Sequence, residues 1–191
     1  MAPLAAVASR YSRGAIILHW LMAAIIVVNL GIGLSIDRFY PGQAAIGDAI
    51  IALHRALGLG VIALTLVRIG WRINHRPPPL PAHMTPLERR LANSVHGLFY
   101  VLMLALPMTG WAMVSTGVPP GHVAGPAAEF GAFAVPPLPL PNALGSAFYA
   151  GHAALGWTML GLLGLHGLAV IKHRLFDRDN VLARMWPVAP R

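Results

Sequence analysis

Apolar residues gather into four long runs along this chain, at 15–36, 50–73, 95–114 and 148–171. At a rise of about 1.5 Å per residue, each run is long enough as a helix to cross about 30 Å of hydrocarbon. The pattern predicts an all-α integral membrane four-helix bundle, a single domain over residues 1–191 with helices near 15–36, 50–73, 92–114 and 148–171. The first run is expected to remain in the protein rather than act as a cleaved signal peptide. Its apolar core is too long, and the Asp37-Arg38-Phe39-Tyr40-Pro41 that follows offers no small-residue cleavage pattern.

The connections between runs differ in kind. The first, at 37–48, is short and carries the turn dipeptide Pro41-Gly42. The second contains Pro77-Pro78-Pro79-Leu80-Pro81, which is too stiff and too short of donors to be helical. Thr85-Pro86-Leu87-Glu88 then reads as a cap, a first-position proline and an acidic residue in an opening turn, so the third helix is expected to start near Pro86 and rise past His96. The third connection, 115–147, is long and rich in Pro and Gly, which makes it either mobile or functional. Its apolar residues Phe130, Phe133, Val135, Leu138 and Leu140 are expected to rest on the bilayer surface or cap the helix ends. Residues 172–191 read as a short basic tail.

Composition agrees with the runs: 57% of residues are hydrophobic and the mean hydropathy is +0.65, beyond the range of an ordinary soluble domain. A formal charge of +8 raises the question of nucleic acid, but the charges are segregated by depth. Arg10 and Arg13 precede the first run, and Arg68, Arg72, Arg76, Arg89 and Arg90 surround the second connection. Lys172, Arg174, Arg178, Arg184 and Arg191 follow the fourth run, while Arg38 and Arg55 stand near the other two ends. This asymmetry predicts both termini and the middle connection in the cytoplasm, with membrane lipid rather than nucleic acid as the partner. Cysteine is absent, which excludes disulfides, thiolate-ligated clusters and covalent Cys-x-x-Cys-His haem attachment.

Nine histidines are present, and their depths sort them. His75, His83, His122 and His173 fall in connections or beyond helix ends and read as interfacial polar residues. His19, His54, His96, His152 and His166 fall inside the runs, where an ionisable side chain is a functional candidate. Antiparallel helices bring His54 and His152 to the outer level and His19 and His166 to the inner level. Each pair can supply the two imidazoles of a bis-histidine haem iron. On the fourth helix, fourteen residues at about 100° return His166 to within about 40° of His152, about 21 Å further along the axis. One helix face can therefore serve two stacked haems. Gly31, Gly33, Gly58, Gly60, Gly151, Gly156, Gly161, Gly164 and Gly167 offer room for a bulky porphyrin.

Other chemistries fit less well. A zinc site needs about four converging ligands, usually with thiolate or carboxylate, and each level offers two or three imidazoles. A proton or ion pathway calls for buried carboxylates, and all six acidic residues lie outside the runs. Near the inner level, Arg68 and Arg72, with Arg13, can snorkel to lipid phosphates or pair with haem propionates. His96 lacks a second unassigned imidazole at its depth. It is expected either to bond a helix carbonyl or a propionate, or to exchange a proton with a quinone headgroup beside Arg68 and Arg72. Trp20, Trp71, Trp111, Trp157 and Tyr149 read as interfacial or core aromatics.

Tyr11-Ser12-Arg13 through Leu18-His19-Trp20, Ile51-Ala52-Leu53-His54, Leu104-Ala105-Leu106-Pro107 with Gly110, and Gly164-Leu165-His166-Gly167 together resemble the bacterial cytochrome b561 family of small dihaem membrane cytochromes. The likeness extends from Tyr11 into the basic tail. It implies two haem b groups with His19, His54, His152 and His166 as axial ligands, the bacterial inner membrane as location, and ubiquinone as membrane partner. It further implies oxidation of superoxide at the outer face, with delivery of electrons to quinone. Two other roles remain open at this stage: a haem b subunit of a quinone-linked hydrogenase or dehydrogenase, and a haem-binding membrane protein without turnover.

Overall fold

A computed structural model describes residues 10–39, 44–117, 128–130 and 133–187. Four long helices dominate it: α1 (Arg13–Phe39), α2 (Ala44–Asn74), α3 (Pro86–Ser115) and α4 (Gly145–Leu175). All four are long and apolar enough to cross a membrane, and the chain is a multi-pass membrane protein. Each helix overruns its apolar run, because hydropathy marks the hydrocarbon layer while helix ends are set by caps and prolines.

The start of α3 is the clearest case. Thr85 Oγ1 accepts the Glu88 N–H at 3.2 Å, and the Glu88 carboxylate accepts the Thr85 N–H at 2.8 Å, with Pro86 in the first turn. Such a cap stabilises a helix by about 1 kcal/mol. At its far end α2 stops at Asn74, shortly before Pro77. The extra turns of α4 place His173 on the helix rather than beyond it, two turns after His166.

Consecutive helices pack on one another, α1 on α2, α2 on α3 and α3 on α4. Their shared core sits midway along the bundle and contains Met22, Ile26, Val61, Leu102, Met103, Met159 and Leu162. Thr65 is fully buried there, its hydroxyl satisfied by the Val61 carbonyl at 2.7 Å. Ile17, Val27, Leu66, Val101, Trp157 and Leu168 point outward, and Leu165 is 61% exposed beside His166. A soluble protein would be liable to aggregate through such a surface, but here hydrocarbon covers it. Among the described residues, α4 makes its close backbone contacts with α3 and stands off from α1 and α2.

Two features depart from the sequence reading. The long third connection contains a small antiparallel hairpin, β1 (Ala128–Phe130) with β2 (Phe133–Val135), where aromatic and β-branched residues favour extended pairing. Beyond it the chain is tied to the end of α3: Trp111 Nε1 donates to the Pro136 carbonyl at 3.0 Å, and the Leu138 N–H donates to Ser115 Oγ at 2.9 Å. The basic tail is also structured. It forms α5 (Val181–Met185), which lies across the start of α1. Trp20 Nε1 donates to the Met185 carbonyl at 2.8 Å, Arg10 donates to the Trp186 carbonyl at 2.6 Å, and the Trp20 and Trp186 rings meet edge to face. Apolar residues Val181, Leu182, Met185 and Trp186 within the basic segment account for this docking.

Candidate functional site

Depth arithmetic grouped the intramembrane histidines into two levels, and the same two groups are found in the bundle. His54 on α2 faces His152 on α4 with ring centroids 6.1 Å apart and planes at 87°. His19 on α1 faces His166 on α4 at 6.2 Å and 70°. Both pairs reach across the stand-off of α4 from α1 and α2. On α4, His152, Met159 and His166 follow one another at intervals of seven residues, so the buried Met159 separates the two levels on a single face.

The His54–His152 pair, the outer one on the sequence reading as His19–His166 is the inner, is held from behind. His54 Nδ1–H donates to the Asn29 carbonyl at 3.2 Å, and His152 Nδ1–H donates to the Leu106 carbonyl at 2.9 Å, with Thr109 Oγ1 at 3.3 Å. An imidazole that gives its Nδ1 proton to a carbonyl presents the Nε2 lone pair at its other edge, the arrangement a metal ligand needs. Each ring also lies against a glycine. A Cβ at Gly33 would come within 2.9 Å of His54 Cε1, and one at Gly110 within 2.9 Å of His152 Cε1. Any larger residue at either position must push the imidazole out of its seat.

The inner pair is surrounded by cations and aromatic rings. Arg68 Nη2 donates to His19 Nδ1 at 3.4 Å, and the Arg68 and Arg72 guanidiniums lie 5.9 and 6.0 Å from the centre of the Tyr100 ring. Among the described residues neither arginine forms an ion pair with a carboxylate. A shallow cavity bounded by Tyr11, Arg68, Trp71, Arg72 and Tyr100 opens beside them. Gly14 lets Trp71 pack directly onto the α1 backbone, and Trp71 Nε1 donates to Ser12 Oγ at 2.9 Å.

His96 is less isolated than its sequence position suggested. Its ring centre is 5.8 Å from that of His166, and Phe99 meets His166 from the same helix at 5.5 Å. The His96 Nδ1–H donates to the Ala92 carbonyl at 2.6 Å, the helix-carbonyl bond foreseen as its structural role. Of the remaining histidines, His75 stacks on Trp71, His83 and His173 both reach Asp179, and His122 lies outside the described residues.

The family profile of prokaryotic cytochrome b561 matches residues 10–188. This chain belongs to that family. It is 31% identical to cytochrome b561 homolog 2 of Escherichia coli K12, over 92% of this chain and 90% of the relative. It is 32% identical to cytochrome b562 of Cereibacter sphaeroides, over 92% and 94%. A Yersinia pestis protein named probable superoxide oxidase CybB is 27% identical, over 93% of this chain and 96% of that one.

Membership makes the chain a membrane cytochrome of haem b electron transfer, and the residues present fit the group. Two metal–imidazole bonds of about 2 Å, added to the two ring radii, give a centroid separation of about 6 Å, as both pairs have. The stand-off of α4 from α1 and α2 offers the slot for a flat macrocycle, and Arg68 and Arg72, without a carboxylate partner among the described residues, suit the carboxylates such a group carries. The sequence reading did not find Asn29, Leu106, Thr109, Phe99 or Tyr100 as neighbours of the site. For Leu106 the signal was at hand in Leu106-Pro107 followed by Gly110, a segment that carries the family likeness and whose neighbour is His152.

Proposed function

We propose that this cytochrome, a single membrane domain, binds two haem b groups and carries electrons from the outer face of the bacterial inner membrane to ubiquinone. His54 and His152 would ligate the outer haem and His19 and His166 the inner one. The observation that carries the reading is the pair of facing imidazoles at each of two depths, with α4 contributing one ring to both. The haems supply one-electron redox chemistry in a layer that otherwise insulates. The chain's own residues orient and shield them. Asn29 and Leu106 fix the outer imidazoles, and Gly33 and Gly110 set how far those rings recede. Met22, Ile26, Leu102 and Met159 keep water from the space between the levels.

Superoxide is the donor best supported, through the Yersinia pestis relative named for that oxidation. In balanced form, two superoxide anions each release one electron and become oxygen, and one ubiquinone takes two electrons and two protons to become quinol. The quinone headgroup is assigned to the inner level, where Arg68 and Arg72 favour developing negative charge and His96 can hold a proton at Nε2. Charge asymmetry supports an orientation with both termini and the α2–α3 connection in the cytoplasm. Mixing purified, haem-loaded protein with superoxide and a ubiquinone analogue, while following haem and quinone absorbance, tests the reading. Stoichiometric quinol formation supports it; protein that neither superoxide nor quinol reduces contradicts it.

A further inference from the structure

A second cluster of ligand-type side chains lies away from the paired histidines, where α4 ends and the tail begins. His173 Nδ1 is 2.7 Å from Asp179 Oδ2 and 3.1 Å from Asp177 Oδ2, and His83 Nε2, from the α2–α3 connection, is 3.0 Å from the same Asp179 oxygen. Within this group the ligand atoms of His173, Asp177 and Asp179 all lie within 4.8 Å of one another. We propose that His83, His173, Asp177 and Asp179 form a binding site for a divalent transition-metal ion of the zinc type.

Two imidazoles and two carboxylates are a sufficient ligand set for tetrahedral Zn2+, unlike the histidine-only groups inside the bundle. With bonds of about 2.0 Å, a tetrahedral ion holds its ligand atoms about 3.3 Å apart. The contacting pairs here stand at 2.7–3.1 Å and His173, Asp177 and Asp179 close within 4.8 Å, so a small opening among these three admits the ion, and the exposed His83 ring, outside that mutual group, must swing in to complete the set. Arg178, between the two aspartates, has a left-handed backbone with φ 53°, uncommon for a residue other than glycine, in the turn that sends both carboxylates back toward His173. The His173 and Asp179 side chains are only 12% and 7% exposed, whereas His83 is 56% exposed and forms the open edge by which an ion enters.

The competing explanation is a hydrogen-bonded latch without metal. Lys172 Nζ lies 2.6 Å from Asp177 Oδ2 and already offsets part of the charge. It also reaches Glu88 at 2.9 Å, which leaves it a partner when Asp177 turns to the ion. The site would clamp the α2–α3 connection to the end of α4, two helical turns beyond His166, and so hold the start of the tail that docks on α1. It is independent of the haem assignment.

The test uses haem-loaded protein treated with chelator and titrated with Zn2+ by calorimetry, with metal quantified after desalting. One Zn2+ per chain is expected, with release of protons as the imidazoles are captured. Affinity should fall at least tenfold in His83→Ala, an exposed position whose loss does not threaten folding, and further in Asp179→Asn, with the haem spectrum unchanged in both. Absence of saturable binding to the wild type, or wild-type affinity retained in both His83→Ala and Asp179→Asn, overturns the proposal and leaves a metal-free latch.

Discussion

The two histidine levels use the same residue type at nearly the same separation but differ in what stands behind the rings. At the outer level, main-chain carbonyls receive both Nδ1 protons and glycines fix both ring positions, while Arg55 brings a positive charge near His54. At the inner level, a guanidinium approaches His19, a third imidazole and Phe99 border His166, and two arginines of α2 stand over the Tyr100 ring. A site whose ligands are locked to the backbone reorganises little and suits electron passage. One surrounded by cations and a spare imidazole suits chemistry in which charge and protons change together. The contrast is what supports, within the proposed function, electron entry at the outer level and quinone reduction at the inner.

The strongest way to break the contrast is to remove ligands. His152→Ala should abolish the low-spin spectrum of the outer haem alone, and His166→Ala that of the inner haem alone, because a single imidazole seldom keeps a b-type haem low-spin. If His19→Ala instead retained the inner haem while His96→Ala lost it, the pairing at that level would be His96 with His166.

A smaller effect is expected from the glycine seats. Gly110→Val pushes against a ring already 2.9 Å from the position of a Cβ, and should lower outer haem content without altering the inner haem. Equal losses at both levels would mean that Gly110 serves general helix packing. Smaller again is the charge effect. Arg68→Gln removes a cation beside His19 and should lower the potential of one haem by about 60 mV, a tenfold change for one electron. Redox titration should show the second wave unmoved.

The mildest prediction concerns the tail. Burial works against an ionised Asp179, but the Val181 N–H and the His173 and His83 rings outweigh it and hold its pKa below the ordinary 3.8. A carboxylate with a lowered folded pKa contributes stability that is complete above its unfolded value and lost as pH falls through the folded one. Tail docking, followed by Trp fluorescence, should therefore be constant above about pH 5 and weaken below about pH 4. Asp179→Asn should remove that dependence at a cost of about 1 kcal/mol.

The bundle and its paired histidines were legible because membrane burial leaves strong marks. Long apolar runs set helix number, and a histidine's distance along a run sets its depth. The carbonyls of Asn29 and Leu106 left no comparable mark, since every residue carries one and only packing decides which meets an imidazole. Gly33 and Gly110 were named among many helix glycines with nothing to mark them as ring seats, whereas Gly151, Gly156, Gly161, Gly164 and Gly167 on α4 have no neighbouring group within 4 Å of a would-be Cβ. The hairpin and the docked α5 were missed because short apolar clusters inside Pro-rich or basic segments carry no periodic signal. Asp179 and His83 lie 96 residues apart, a separation no local pattern spans.

The most direct measurement is the ratio of haem b to polypeptide in one purified sample, with the low-spin fraction read from the same material. Two facing imidazole pairs predict two low-spin haems per chain. One haem per chain, or a second one that is high-spin, would contradict the account.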